Sequence, residues 1–188
     1  MFEDFEKKES VVVVYTGDGK GKTSASLGLM VRALGTDWKV AYVQFVKHWE
    51  VGEHKAIHRM QELYGDKLVL HKGGKGFYHA GKLSAKGVSD EEHRKAAEDT
   101  FEFAMQAASS GDYDLVICDE INNSVNDGLL KKAALKDLIK KRHAKTSLCL
   151  TGRNFPDEYV ELTDIATNMT KLKHHFDDKF LANKGIDY

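Results

Sequence analysis

The sequence predicts a three-layer α/β domain built on a mainly parallel sheet. Short apolar runs alternate with amphipathic stretches of helical length along the 188 residues. The first and fourth runs, VVVVY and YDLVICD, are apolar almost without interruption, as expected of strands covered on both faces. A glycine-rich turn, TGDGKGKTS, leads straight from the first run into helix formers. Alternation of this kind implies parallel strands joined by right-handed helical crossovers. The length suits one buried core and no second one, so residues 1–188 read as a single domain.

In chain order, residues 1–10 are charged and form an N-terminal arm. Strands are expected at 11–15, 39–45, 67–71, 113–119, 145–150 and 167–173, and helices at 22–34, 52–63, 89–109, 127–143 and 156–163. Two of the helices carry strong boundary signals. Ser89 and Glu92 have the spacing of a capping box, and Gly111 lies just beyond the far end. Asn154 and Pro156 mark the start of the helix around Tyr159 and Leu162. The segment 127–143 has apolar residues at 129, 130, 134, 135, 138 and 139 and a lysine-rich remainder, an amphipathic surface helix. Residues 72–88, KGGKGFYHAGKLSAKGV, lack periodicity and read as a long loop, functional or disordered.

Composition narrows the setting. With 28 Lys+Arg against 29 Asp+Glu the net charge is −1, which gives no indication of a nucleic-acid partner. Both cysteines, Cys118 and Cys149, stand inside apolar runs and read as buried small hydrophobes, as suits a reducing compartment. The acidic N-terminus is unlike a signal peptide, and no apolar run approaches membrane-spanning length. A cytoplasmic protein is expected, with neither nucleic acid nor membrane as partner.

The opening turn has the chemistry of a phosphate cradle. Glycines at 17, 19 and 21 permit positive φ, and backbone N–H groups converge at the positive end of the following helix. Gly17, Asp18, Gly19, Lys20, Gly21, Lys22, Thr23 and Ser24 are the candidate residues. Lys22 is spaced to reach terminal phosphate oxygens and Thr23 to ligate Mg²⁺, and Lys20 adds a second charge. The usual G-x-x-x-x-G-K-[ST] pattern would require glycine at position 16, where threonine stands. The alternative is a plain glycine-rich turn with solvated lysines. The strand YDLVICDE ends in Asp119 and Glu120: Asp119 to hold Mg²⁺, Glu120 to orient the metal shell or the nucleotide. The competing reading is a loop cap. Arg153, in LTGRN, falls at the same carboxyl edge of the sheet, where it is either a phosphate ligand or a surface arginine.

With these elements in order, the chain resembles the P-loop ATP:corrinoid adenosyltransferases. The resemblance is carried by YTGDGKGKTSASLGL, VAYVQFVK with Gly52-Glu53, GFYH at 76–79, DLVICDEIN, LTGRNFPDEYVELTDIATNM and the tail KLKHHFDDKFLANKGIDY. It implies a RecA-like sheet, a homodimer, Mg²⁺, and transfer of the 5′-deoxyadenosyl group of ATP to the cobalt(I) of a corrinoid with release of triphosphate. Lys22, Thr23 and Glu120 are then the catalytic candidates. Cobalt(I) is itself a strong nucleophile, so no catalytic base is required, and none is apparent from the sequence. An electron donor for cobalt(II) is implied as a further partner.

On the corrinoid side the chain departs from the family. Many members carry G-F-T-W, whose aromatic pair covers the lower face of the corrin, whereas this chain has Gly76-Phe77-Tyr78-His79. Phe77, Tyr78 and His79 are the corrinoid-site candidates within 72–88; the alternative is a loop touching nothing. The tail has Lys173-His174-His175-Phe176 where K-H-P-F is common, so the two histidines read as structural. His54 and His58, spaced i, i+4 without an H-E-x-x-H glutamate, read as a solvated helix face. Two other functions share these motifs: a P-loop ATPase or small-molecule kinase, and a non-catalytic nucleotide-dependent corrinoid-binding module.

Overall fold

Successive side chains of a strand point to opposite faces, and the central strands of this chain are apolar on both. A computed structural model describes residues 4–76, 78 and 87–188. Its strands are β1 (Val12–Thr16), β2 (Val40–Gln44), β3 (Leu68–Lys72), β4 (Leu115–Asp119), β5 (Ser147–Thr151) and β6 (Ile165–Asn168). Val12, Val14, Ala41, Val43, Val116, Cys118, Leu148 and Leu150 pack into one core cluster. Val13, Val40, Tyr42, Leu115, Ile117 and Cys149, their alternates along the same strands, pack into the other. The first layer is closed by helices α3 (Asp90–Ser110), α4 (Ile121–Asn126) and α5 (Ala133–Lys141). Helices α1 (Lys22–Leu34) and α2 (Gly52–Tyr64) close the second. Both cysteines are free and buried, as expected.

The six strands lie in the order β3-β2-β4-β5-β1-β6, and every pair is parallel. The expected three-layer α/β fold is therefore present, its sheet wholly rather than mainly parallel. With all strands in one sense, their carboxyl ends lie along one edge. There the loop after β1, Asp119 of β4 and Thr151 of β5 come together.

Local signals account for the well-read boundaries. Ser89 Oγ accepts from Glu92 N–H at 3.2 Å while the Glu92 carboxylate accepts from Ser89 N–H at 2.8 Å, and Gly111 turns left-handed after α3. Tyr42, fully buried, shares a 2.9 Å hydrogen bond with Ser26, whose hydroxyl donates to the Thr23 carbonyl at 2.8 Å. That chain of contacts ties the first turn of α1 to β2.

Four expectations need correction. The helix expected at 127–143 is α5 alone, because Gly128 adopts φ 72° and Leu129 and Leu130 turn back to hydrogen-bond the Ser124 carbonyl. Ahead of it stands the short α4, which the apolar pattern does not signal. The helix expected at 156–163 is a 3-10 helix, Asp157–Leu162. The strand expected at 167–173 is instead Ile165–Asn168, an exposed edge strand that ends where its partner β1 ends, at Thr16. Finally, His54 is not on a solvated face: it is fully buried, whereas His58 is exposed. Residues 4–9 form an exposed arm, from which Lys8 pairs with Asp164.

The end of β6 clamps the loop after β1. Met169 donates its N–H to the Thr16 carbonyl at 2.8 Å and accepts from Gly19 N–H at 2.7 Å. A Cβ on Gly19 would lie 2.5 Å from the Met169 carbonyl oxygen. Gly19→Ala is therefore expected to cost about 1–3 kcal/mol of stability, the range for overpacking against atoms that cannot give way. Urea unfolding measures it, and an unshifted midpoint would mean that β6 does not hold the loop.

Candidate functional site

The loop between β1 and α1 turns left-handed at Gly17 (φ 98°) and again at Gly21 (φ 112°), which caps α1. Only glycine adopts such angles without strain, so the glycine spacing follows from the turn. Lys22 folds back over the loop, donating to the Gly17 carbonyl at 2.7 Å and the Gly19 carbonyl at 2.6 Å. Burial, and then the nearby Arg153 guanidinium, lower its pKa. Lys20 pairs with Asp187 at 2.8 Å. Asp18, Lys20 and Ser24 are exposed, and all three line the cleft above the loop.

Asp119 is fully buried at the end of β4. Its Oδ1 accepts from the Thr151 hydroxyl at 2.8 Å, and its Oδ2 from the Thr23 hydroxyl at 3.3 Å and Gln44 Nε2 at 3.2 Å. Thr23 and Asp119, chosen from sequence spacing as a metal pair, are thus brought into contact. Oxygen donors of this hardness suit Mg²⁺, which binds through one or two protein ligands and takes its remaining ligands from phosphate and water. Among the described residues no cluster of three or more His, Cys, Asp or Glu suits a metal.

Glu120 adopts φ 64° at the start of α4, a left-handed angle uncommon for a residue with a side chain. Its N–H donates to Thr151 Oγ1 at 2.8 Å, so one threonine orients both acids. Burial, and then the charge of Asp119, push the Glu120 carboxyl up to about 7, against the opposing pull of Lys47 and Lys22. Glu120 lines the same cleft as Lys22 and Lys47.

Lys47 is a further cation absent from the sequence-based candidates. It pairs with Glu53 at 2.7 Å, with both side chains largely buried. Burial alone would lower its pKa, but Asp119, Glu120 and Glu53 together raise it. The signal was present, since VAYVQFVK and Gly52-Glu53 are among the stretches that resemble the family; only the structure joins them.

Arg153 projects from the loop after β5 to the cleft, with its backbone held by α4. Its N–H donates to Asn123 Oδ1 at 2.9 Å and its carbonyl accepts from Asn126 Nδ2 at 2.6 Å. The cleft has a volume of about 1110 Å³. Its walls run from Lys20, Lys22 and Arg153 past Lys47 and Glu53 to Gly76, Tyr78 and His93. Tyr78 packs on the core beside His93, with ring centroids 5.2 Å apart. Phe77 and His79 lie outside the described residues. The tail closes another side of the cleft, where Asp187 meets Lys20 and His175. His174, which lines the cleft, accepts at Nδ1 from Phe176 N–H at 3.1 Å. Asn123→Ala removes one of the two anchors of Arg153. Amide hydrogen exchange at Arg153 should accelerate about tenfold, the equivalent of one lost hydrogen bond; an unchanged rate would leave Asn126 as the sole anchor.

Comparison with known proteins adds an independent line. The profile of the ATP:corrinoid adenosyltransferase BtuR/CobO/CobP family matches residues 8–188. The corrinoid adenosyltransferase of Pseudomonas aeruginosa is 30% identical over 182 residues, spanning 96% of this chain and 85% of that protein. That of Escherichia coli K12 is 27% identical over 184 residues, spanning 97% and 88%. Among solved structures, the flagellar accessory protein FlaH from Methanocaldococcus jannaschii matches with a TM-score of 0.49 at 13% identity, over 86% of this chain and 71% of that one. The family match takes in the glycine loop, the Asp119–Glu120 strand end and the C-terminal tail together: the chain belongs to the ATP:corrinoid adenosyltransferase family.

Proposed function

We propose that this protein transfers the 5′-deoxyadenosyl group of ATP to the cobalt(I) of a corrinoid and releases triphosphate. The observation that carries the reading is the single cleft of about 1110 Å³ that joins the loop lysines to Gly76, Tyr78 and His93. Its lining runs from a phosphate-binding loop to an aromatic end, which suits two substrates meeting over one loop. In the transfer, the cobalt(I) electron pair forms the bond to C5′ while the C5′–O bond breaks. Cobalt becomes cobalt(III), and the triphosphate leaves with the bonding pair.

The protein has two tasks in such a reaction: to hold C5′ in line with cobalt, and to stabilise negative charge on the departing triphosphate. Gly17, Gly19 and Gly21 with the α1 N-terminus would cradle that charge, and Lys20, Lys22 and Arg153 would offset it. Lys22 and Lys20 are held by loop carbonyls and by Asp187, acceptors that phosphate oxygens would replace. Thr23 and Asp119 would hold Mg²⁺, with Glu120 orienting its surroundings; when bound, the ion neutralises charge on the phosphates. Tyr78 would face the corrinoid, and Phe77 and His79 are assigned to the same substrate by their place in the sequence. A homodimer, an external electron donor for cobalt(II) and a cytoplasmic location complete the proposal, the last in keeping with two free cysteines.

Glu120 favours one rival. Its carboxyl lines the cleft together with the loop residues and is raised by burial, so it could activate water for ATP hydrolysis. Products separate the two reactions. Incubation with MgATP and chemically reduced corrinoid is expected to yield a cobalt–carbon bond and triphosphate in equal amounts, whereas ADP and phosphate would establish an ATPase. Lys22→Ala should slow adenosylation about 10²–10³-fold, the loss seen when one charge-stabilising donor is removed from a transition state. Turnover close to that of the unaltered protein would exclude the loop from the mechanism.

A further inference from the structure

Gln44 and His54 are both fully or almost fully buried, 1% and 0% exposed, and Gln44 reaches the same Asp119 oxygen that Thr23 does. Polar groups so buried are held by specific partners, and here those partners form one directed line. Val51 N–H donates to His54 Nδ1 at 3.3 Å. His54 Nε2 is hydrogen-bonded to Gln44 Oε1. Gln44 Nε2 in turn reaches Asp119 Oδ2 at 3.2 Å.

With Glu50 Oε2 3.7 Å from His54 Nδ1, too far to accept a hydrogen bond from it, the line has one consistent set of protons. Because a backbone N–H points at Nδ1, that nitrogen must be the acceptor, and the imidazole proton is on Nε2. Nε2–H can donate only to the carbonyl end of the Gln44 amide. The NH₂ end is therefore turned to Asp119, whose other partners, the Thr23 and Thr151 hydroxyls, are also placed to donate. Flipping the amide would set its oxygen against a carboxylate and leave Nε2–H facing an NH₂. Burial, and then the charge of Lys72, lower the His54 pKa, in keeping with a neutral ring.

We propose that His54 is a positioning residue for the metal site, acting through Gln44. Its Nε2–H locks the Gln44 amide so that Asp119 is held with Oδ2 beside Thr23. The inference rests on reading Asp119 as the magnesium carboxylate. It explains why a histidine lies buried at the start of α2, where the sequence pattern suggested a solvated face. Groups that orient a metal ligand typically alter metal affinity by about 10–100-fold when removed.

The chemistry offers a paired test. A glutamine amide reaches as far along the side chain as Nε2, and an asparagine amide only as far as Nδ1. His54→Gln should therefore restore the donor to Gln44, and His54→Asn should not. With ATP present, Mn²⁺ binding followed by loss of the free-ion electron paramagnetic resonance signal should weaken about tenfold in His54→Asn. In His54→Gln it should stay within about threefold of the unaltered protein. Adenosylation should show the same split as a raised KM for Mg²⁺ with kcat largely recovered at saturating metal. His58→Ala, one turn further along the exposed face, should change neither.

Equal affinity in all variants, or equal loss in His54→Gln and His54→Asn, would overturn the proposal. If His54→Asn does not fold, Gln44→Leu removes the NH₂ directly and should weaken Mn²⁺ to the same degree; unaltered affinity there would also overturn it. A protein that binds Mn²⁺ in this pattern yet forms no cobalt–carbon bond would refute the adenosyltransferase reading alone.

Discussion

A carboxylate buried at the end of a central strand must be supplied with donors, or its desolvation would cost several kcal/mol. Asp119 draws them from three separate elements: Thr23 at the start of α1, Gln44 at the end of β2, and Thr151 at the end of β5. Strand order makes this possible. β4 has β2 on one side and β5 on the other, and in a parallel sheet their last residues arrive at the same level, with Gln44 in register with Asp119. The buried acid therefore depends on the topology, and the topology gains from the acid a reason to bring α1 down onto the same edge. Thr151 extends the arrangement by accepting from Glu120 N–H, which fixes the second acid in its left-handed turn.

The same edge gathers cations to balance the acids. Lys20 and Lys22 from the glycine loop, Lys47 after β2 and Arg153 after β5 come from three places in the chain and line one cleft with Asp119's neighbour Glu120. Each is held by a local partner: loop carbonyls for Lys22, Glu53 for Lys47, Asp187 for Lys20, and the backbone anchors Asn123 and Asn126 for Arg153. Pre-arranged charge of this kind stabilises charge that develops during a reaction, because little reorganisation is left to do. The C-terminal tail takes part, since Asp187 is held by Asn183 N–H at 2.7 Å while it pairs with Lys20.

What was legible in the sequence is what depends on neighbours along the chain. The strands of both core clusters, the capped helix from Asp90 and the glycine loop all declare themselves through period, caps or a contiguous motif. Contacts between distant segments left weaker marks. Lys47 and Glu53 meet across a turn, and Gln44 and His54 look like ordinary polar residues until β2 and α2 are side by side. The i, i+4 pattern of His54 and His58 misled for a physical reason. A histidine satisfied at both ring nitrogens can be buried at little cost, so polarity alone does not assign it to the solvent. Helix α4 was missed because INNSVN has no apolar stripe; its value lies in two asparagines that hold Arg153.

Thr16, where the commoner loop has its first glycine, shows how the departure from pattern is accommodated. Its hydroxyl accepts from Phe155 N–H at 3.0 Å and its carbonyl accepts from Met169 N–H at 2.8 Å. The residue is thus committed to β1, tied on one side to the loop that carries Arg153 and on the other to β6. A glycine here would lose the first of these bonds and gain nothing, because the left-handed turns fall at Gly17 and Gly21. β1 runs through Thr16 and the turn begins at Gly17. Thr16 is paired with Asn168 in β6, and the residue after Asn168, Met169, accepts from Gly19 N–H, so the edge strand holds the cradle at the end of β1. The altered glycine spacing and the edge strand are two parts of one device.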